Sequence, residues 1–168
     1  MADHARPLGA ALAGALLALT AATSRAEAAA SAPCNASALA VTDAGTKIAG
    51  DRAVTRIEVI NNGRAACTVS GYPQLQFRRL SGADAFVVLE RTAADANYHT
   101  AGPAKLTLRS LGRASFFLGY PRFDAGRNAC GAISTITISG FAGKGTISLP
   151  DTIAPCDTVN VSPYFTSR

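Results

Sequence analysis

The segment Val54-Thr55-Arg56-Ile57-Glu58-Val59-Ile60-Asn61-Asn62-Gly63 decides the fold class. Ile57 and Val59 fall on one side of an extended chain, Arg56 and Glu58 on the other, a period of two that marks a half-buried strand. Asn62-Gly63 then supplies a strong turn signal. Downstream, Cys67-Thr68-Val69 runs into Gly71-Tyr72-Pro73, a bend that should end pairing on one side because proline has no N–H to donate.

The same grammar continues outward. Residues 37–43 alternate around Leu39 and Val41 until Gly45 breaks them, and residues 74–80 set Leu75 and Phe77 against Gln76 and Arg78. Ser81-Gly82 turns the chain into Ala-Phe-Val-Val-Leu-Glu (residues 85–90), which reads as a buried strand. Residues 86–99 contain neither glycine nor proline, and Leu89, Ala93 and Ala96 have helical spacing. Residues 91–102 read as a long loop with room for one helical turn. Leu106 and Leu108 share a strand face. Gly112 turns into residues 114–120, where Phe116, Leu118 and Tyr120 alternate. Residues 132–139 are the clearest strand, although Ile133 is out of phase with Ile136 and Ile138. With residues 146–149 and 158–161 the count comes to about nine short strands. Strands at such spacing, with turn punctuation, mean an antiparallel β-sandwich or a small barrel.

The first thirty residues look like an address. Arg6 heads an uncharged run over residues 8–22, shorter than the roughly 20 residues that span a bilayer. Ala26-Glu27-Ala28 and Ala28-Ala29-Ala30 fit the small-residue pattern of signal peptidase sites. Residues 1–30 are therefore expected to be a cleaved secretory signal, and residues 31–168 a single β-sandwich domain without a transmembrane segment. A buried amphipathic helix is the alternative, and an apolar character all round counts against it. Pro33 directly before Cys34 argues against lipidation. The expected location is periplasmic or secreted.

Export makes Cys34, Cys67, Cys130 and Cys156 candidates for two disulfides. Of three pairings, Cys34–Cys67 and Cys130–Cys156 are favoured, because each joins sequence neighbours flanking strand-like segments. No pair has C-x-x-C spacing, which counts against structural zinc and against a redox-active dithiol. The composition, 48% apolar and 16% charged, excludes a disordered tail. A net charge of +5 comes from singly scattered arginines, with Arg78-Arg79 the one adjacent pair. That is a solvated surface and not a nucleic-acid stripe, though it allows weak attraction to anionic envelope polymers.

Taken together, the strand ending Val59-Ile60-Asn61-Asn62-Gly63, the block Cys67-Thr68-Val69-Ser70-Gly71-Tyr72-Pro73, the late pair Cys130 and Cys156, and Val161-Ser162-Pro163-Tyr164-Phe165 resemble the secreted bacterial family called domain of unknown function 4232. Leu108-Arg109-Ser110-Leu111-Gly112-Arg113-Ala114 matches its turn loosely, with Leu111 where proline is common. The resemblance spans about Cys34 to Phe165. It implies an immunoglobulin-like sandwich in the envelope or outside the cell, and it implies no activity.

Chemistry is sparse. His99 is the one histidine after the leader, Asp95 precedes it by four residues, and no Gly-x-Ser-x-Gly elbow is present. The acids stand mostly beside turns, where capping is their ordinary role. Soft-metal ligands are too few for a copper carrier. No catalytic residue, metal or cofactor is expected. Phe116 and Phe117 are adjacent, so on a strand one must face away from the core. Tyr98, His99, Phe117 and Tyr120 are the candidate binding surface. The expected function is a non-catalytic module for an unidentified protein or an anionic envelope component. The alternative is a small-ligand binder using residues 91–102.

Overall fold

The computed structural model describes residues 31–142 and 145–166; the expected leader, residues 1–30, lies outside them. The described chain is all-β, with a single 3-10 turn, Ala36–Ala38, capped by the Asn35 side chain. Twelve strands appear among the described residues where about nine were expected. They are β1 (Leu39–Ala49), β2 (Arg52–Asn61), β3 (Cys67–Ser70), β4 (Gln74–Arg79), β5 (Val88–Arg91) and β6 (Ala94–Asp95). Then follow β7 (Tyr98–His99), β8 (Lys105–Leu108), β9 (Arg113–Pro121), β10 (Ile133–Ser139), β11 (Ile147–Ile153) and β12 (Thr158–Val161). They make a five-stranded sheet ordered β1-β2-β9-β12-β5, a three-stranded sheet ordered β11-β10-β4, and the pairs β3-β8 and β6-β7.

The deciding segment is β2, and its alternation works as read. Thr55, Ile57 and Val59 face inward at 0% exposure, paired antiparallel with β1 on one side and with β9 on the other. One buried cluster draws Ile57, Phe116, Leu118 and Val159 from the large sheet and Leu75, Phe77, Ile136 and Ile138 from the three-stranded one. Both sheets thus spend their apolar faces on a shared core. The phase error at Ile133 also has its reason. The register of β10 shifts between Ile133 and Thr135 against both neighbours, a bulge that turns Ile133 inward with Ile136 and Ile138.

Four expectations need correction. Gly45 does not end β1. It adopts a φ of +109° at a register shift between Asp43 and Thr46, and the strand runs on to a turn at Gly50-Asp51. At the Asn62-Gly63 turn the chain leaves one sheet and joins another, since β2 and β3 are not neighbours. The pairing is not wholly antiparallel, since β5 lies parallel to β12. Residues 91–102 hold neither a helical turn nor an open loop, but the small hairpin β6-β7. Residues 85–90 are not a buried strand: Phe86 is 95% exposed and Val88 61%.

The bend at Gly71-Tyr72-Pro73 does end one pairing and start another, from β8 as partner to β10 as partner. Gly71 takes a φ of +69° there, and its carbonyl accepts from the Tyr164 N–H at 3.0 Å. The disulfides are Cys34–Cys67 and Cys130–Cys156, with Cα separations of 4.7 and 5.3 Å. Closing loops between residues 33 and 26 apart in sequence, each contributes about 3 kcal/mol in the chain-entropy account.

Candidate functional site

Tyr98, His99, Phe117 and Tyr120 do not form one surface. β9 alternates, sending Phe116, Leu118 and Tyr120 inward and Phe117 and Gly119 to the opposite face. Tyr120 is 3% exposed, its hydroxyl 3.1 Å from Thr55 Oγ1. On the outer face Phe117 lies between two rings, Tyr98 at 5.3 Å and Phe165 at 4.8 Å, both stacked. Tyr98 is itself buried, which pushes its phenol well above the ordinary range, and the nearby Asp95 charge pushes the same way. The structure therefore brings Tyr98 and Phe117 together as packing, leaves Phe117 half-buried, and exposes His99 alone.

Asp95 explains how this corner is held. Its side chain is 1% exposed and accepts from Arg52 Nη2 at 2.6 Å, from Asn160 Nδ2, and from the Asn97 N–H at 3.1 Å. Burial alone would raise its carboxyl, but the Asn160 and Asn97 donors and the Arg52 guanidinium outweigh burial and hold it below the usual range. A Cβ on Gly119 would come within 2.8 Å of Asp95 Oδ2, so the β6-β7 hairpin can seat on the sheet only over a glycine. The sequence carried a signal for this contact: a lone glycine inside Ala-Ser-Phe-Phe-Leu-Gly-Tyr marks a close approach. Asp95 is thus spent on Arg52 and Asn160. Its carboxylate does not orient the His99 imidazole, whose backbone pairs with Ala94. A nucleophile, base and orienting acid do not converge here.

A more open region lies where the two large sheets each end in an edge strand, that of β4 covered only over residues 77–79 by residues 83–85. β4 ends the three-stranded sheet and β5 the five-stranded one. Between them runs a groove of about 530 Å³, lined by Leu75 and Gln76 of β4, Leu89 and Arg91 of β5, and Val161. A smaller cleft of about 220 Å³ prolongs it past Phe77 to Asp84 and Val87. Leu80 at 72%, Phe86 at 95%, Val88 at 61% and Leu89 at 36% exposure gather along residues 80–89. Of these, Leu89 lines both clefts, while Val88, next to it on β5, points to the opposite face of the strand. Sequence reasoning missed this exposure, because an apolar stretch in a sandwich pattern reads as interior.

Among the described residues no group of three or more His, Cys, Asp and Glu gathers as metal ligands, and no helix is long and apolar enough to cross a membrane. Fold and surface define an all-β, doubly disulfide-bonded module with an open groove between two sheet edges. The chain belongs to the family described as domain of unknown function (DUF4232), whose profile matches residues 34–165. No curated protein and no solved structure matches it.

Proposed function

We propose that this chain is an exported, non-catalytic module with an immunoglobulin-like β-sandwich, and that it binds a protein partner along the β4-β5 side. One observation carries the reading: Leu89 stands partly exposed in a groove between two strand edges, and its chain neighbours Phe86 and Val88 are uncovered outside that groove. Fully burying such side chains is worth about 1.5–3 kcal/mol each, so a partner that covers two or three of them gains a specific contact. Two disulfides support an oxidising compartment. The net charge of +5 adds salt-sensitive attraction to anionic envelope polymers. The engagement of Asp95 by Arg52 and Asn160 supports a non-catalytic role.

The test is a photo-crosslinking side chain placed at Val88 in cells that export the protein, with Thr42 on the opposite sheet edge as control. A discrete protein adduct from Val88 and none from Thr42 is the expected result. Equal labelling at both positions, or none at either, would reject the reading. A second reading, small-ligand binding, is favoured by the groove's volume of about 530 Å³ beside Arg91, a ligand-sized space. Native mass spectrometry of the exported protein, purified without reductant, separates the two. A bare chain cut after residue 28 or 30 fits the protein binder, and a retained small mass fits the second reading.

A further inference from the structure

Building on the protein-binding reading, we propose that the β4-β5 groove takes up an extended segment of the partner as an added strand, with an acidic side chain of that segment against Arg91. The backbone points this way first. The Val88 N–H donates to Asp157 O at 2.7 Å and the Thr92 N–H to Val161 O at 3.0 Å. Alternation along a parallel ladder then turns the N–H and C=O groups of Leu89 and Arg91 outward. On β4, Phe77 O accepts from the Ala85 N–H at 2.8 Å and the Arg79 N–H donates to Ala83 O at 2.8 Å, both on the edge away from β10. Leu75, two residues earlier on the same edge, lies beyond the reach of that hairpin. Its peptide groups face the groove that Leu89 and Arg91 also line.

Packed sheets stand about 10 Å apart and paired strands about 4.8 Å apart, so a single strand between two sheet edges reaches both. Alternate side chains of that strand would meet Leu75, Leu89 and Val161, and the rest would face water. Edge protection is uneven in a telling way. β1, the far edge of the same sheet, carries a register shift and Lys47, devices that discourage pairing. β5 is Val-Leu-Glu-Arg, with no proline, lysine or bulge, and its edge protection is limited to the charges of Glu90 and Arg91.

Charge sets the chemistry of the partner. Arg91 is the one charged side chain lining the larger cleft, and it is exposed. Arg52, Arg78, Arg113 and Arg127 each pair with an acid of the chain; Arg91, like Arg56, Arg64, Arg79, Arg109 and Arg122, has no such partner among the described residues, and of these six it is the one that lines the larger groove. A carboxylate brought by the added strand would complete it.

The probe is a display library of random ten-residue peptides, panned on the disulfide-bonded protein, followed by synthetic copies of the enriched sequences. We expect alternating apolar residues with one Asp or Glu, and amide exchange at Leu89 and Arg91 slowed at least tenfold on binding. Arg91→Glu should weaken those peptides at least tenfold. Leu89→Pro, which removes an outward N–H, should abolish their binding while leaving thermal unfolding close to wild type. Enriched peptides without acidic residues, or protection away from Leu89 and Arg91, would overturn the proposal. So would a failure to enrich any peptide. In that case a Val88 adduct in cells would leave the protein-binding reading standing, whereas its absence would remove both.

Discussion

Asn61 shows how much one side chain can organise. It is 1% exposed, and its Nδ2 donates to Ala65 O, Leu108 O and Arg109 O at 2.9, 3.0 and 3.2 Å. Its Oδ1 accepts from the Gly63 N–H at 2.9 Å, while its own backbone bonds to Leu111 and Gly112. One amide thereby ties the crossing after β2 to the turn before β9. Asn61→Ala leaves three carbonyls and one N–H without their partner, in a place water reaches only partly. The expected cost is about 3 kcal/mol, read from urea unfolding at unchanged slope. Asn61→Asp should cost more despite its equal size, because a carboxylate would face three carbonyl oxygens with nothing to donate. If the Asp variant proved as stable as the wild type, the donor role assigned to Nδ2 would be wrong. The sequence marked this spot as a turn, and rightly placed a strand end there. It had no way to show partners 47 and 48 residues downstream.

Among the elements, the β6-β7 hairpin is the one whose seat depends on a missing side chain. Gly119→Ala would drive a methyl to 2.8 Å from Asp95 Oδ2 and 3.0 Å from Tyr98 Cε1, so the hairpin must lift. We expect exchange of the Thr100 N–H, which bonds to Ala93 O at 2.8 Å, to quicken tenfold or more while the β2-β9 ladder stays protected. Unchanged exchange at Thr100 would mean that the hairpin shifts without opening. The hold is also acid-sensitive. The folded carboxyl of Asp95 sits below its ordinary value of 3.8. The stability it lends is therefore present at pH above about 4 and fades as pH falls through the lower folded value. Asp95→Asn should flatten that acid limb. What the sequence disclosed at this scale follows from period. β4 buries alternate residues, and the alternating inward positions of β2, β9 and β10 were readable, whereas the cover on the second face of β2 and β9 and the bulge behind the phase error at Ile133 were not. β5 was not, because apolar content alone does not tell an interior strand from an edge that waits for a partner. The aromatic candidates failed for a related reason: loop position suggested exposure for Tyr98, and stacking on Phe117 removed it.

Across the whole molecule, the buried tyrosines are expected to set the alkaline limit of the fold. Tyr98, Tyr120 and Tyr164 are 7%, 3% and 5% exposed, and burial is the first cause raising each phenol above its ordinary 10.0. For Tyr98 the Asp95 charge adds to it, whereas for Tyr120 the Thr55 hydroxyl offsets part of it. A raised folded value means that the native chain keeps protons the unfolded chain would release. The contribution is thus intact below pH 10 and declines as pH rises beyond it. Three such groups approach a slope of about 4 kcal/mol per pH unit once the unfolded phenols ionise. Phenolate absorbance at 295 nm should therefore rise for these three in one step with the loss of circular dichroism, above pH 10. Tyr98→Phe should leave stability near neutral pH unchanged, since its hydroxyl has no hydrogen-bond partner among the described residues, and should make the alkaline decline shallower. If phenolate absorbance instead grew smoothly through pH 11 with the fold intact, the tyrosines would be reaching solvent by local opening. The hairpin over Gly119 would then be the first place to look, because it carries Tyr98 and lays that ring on Phe117.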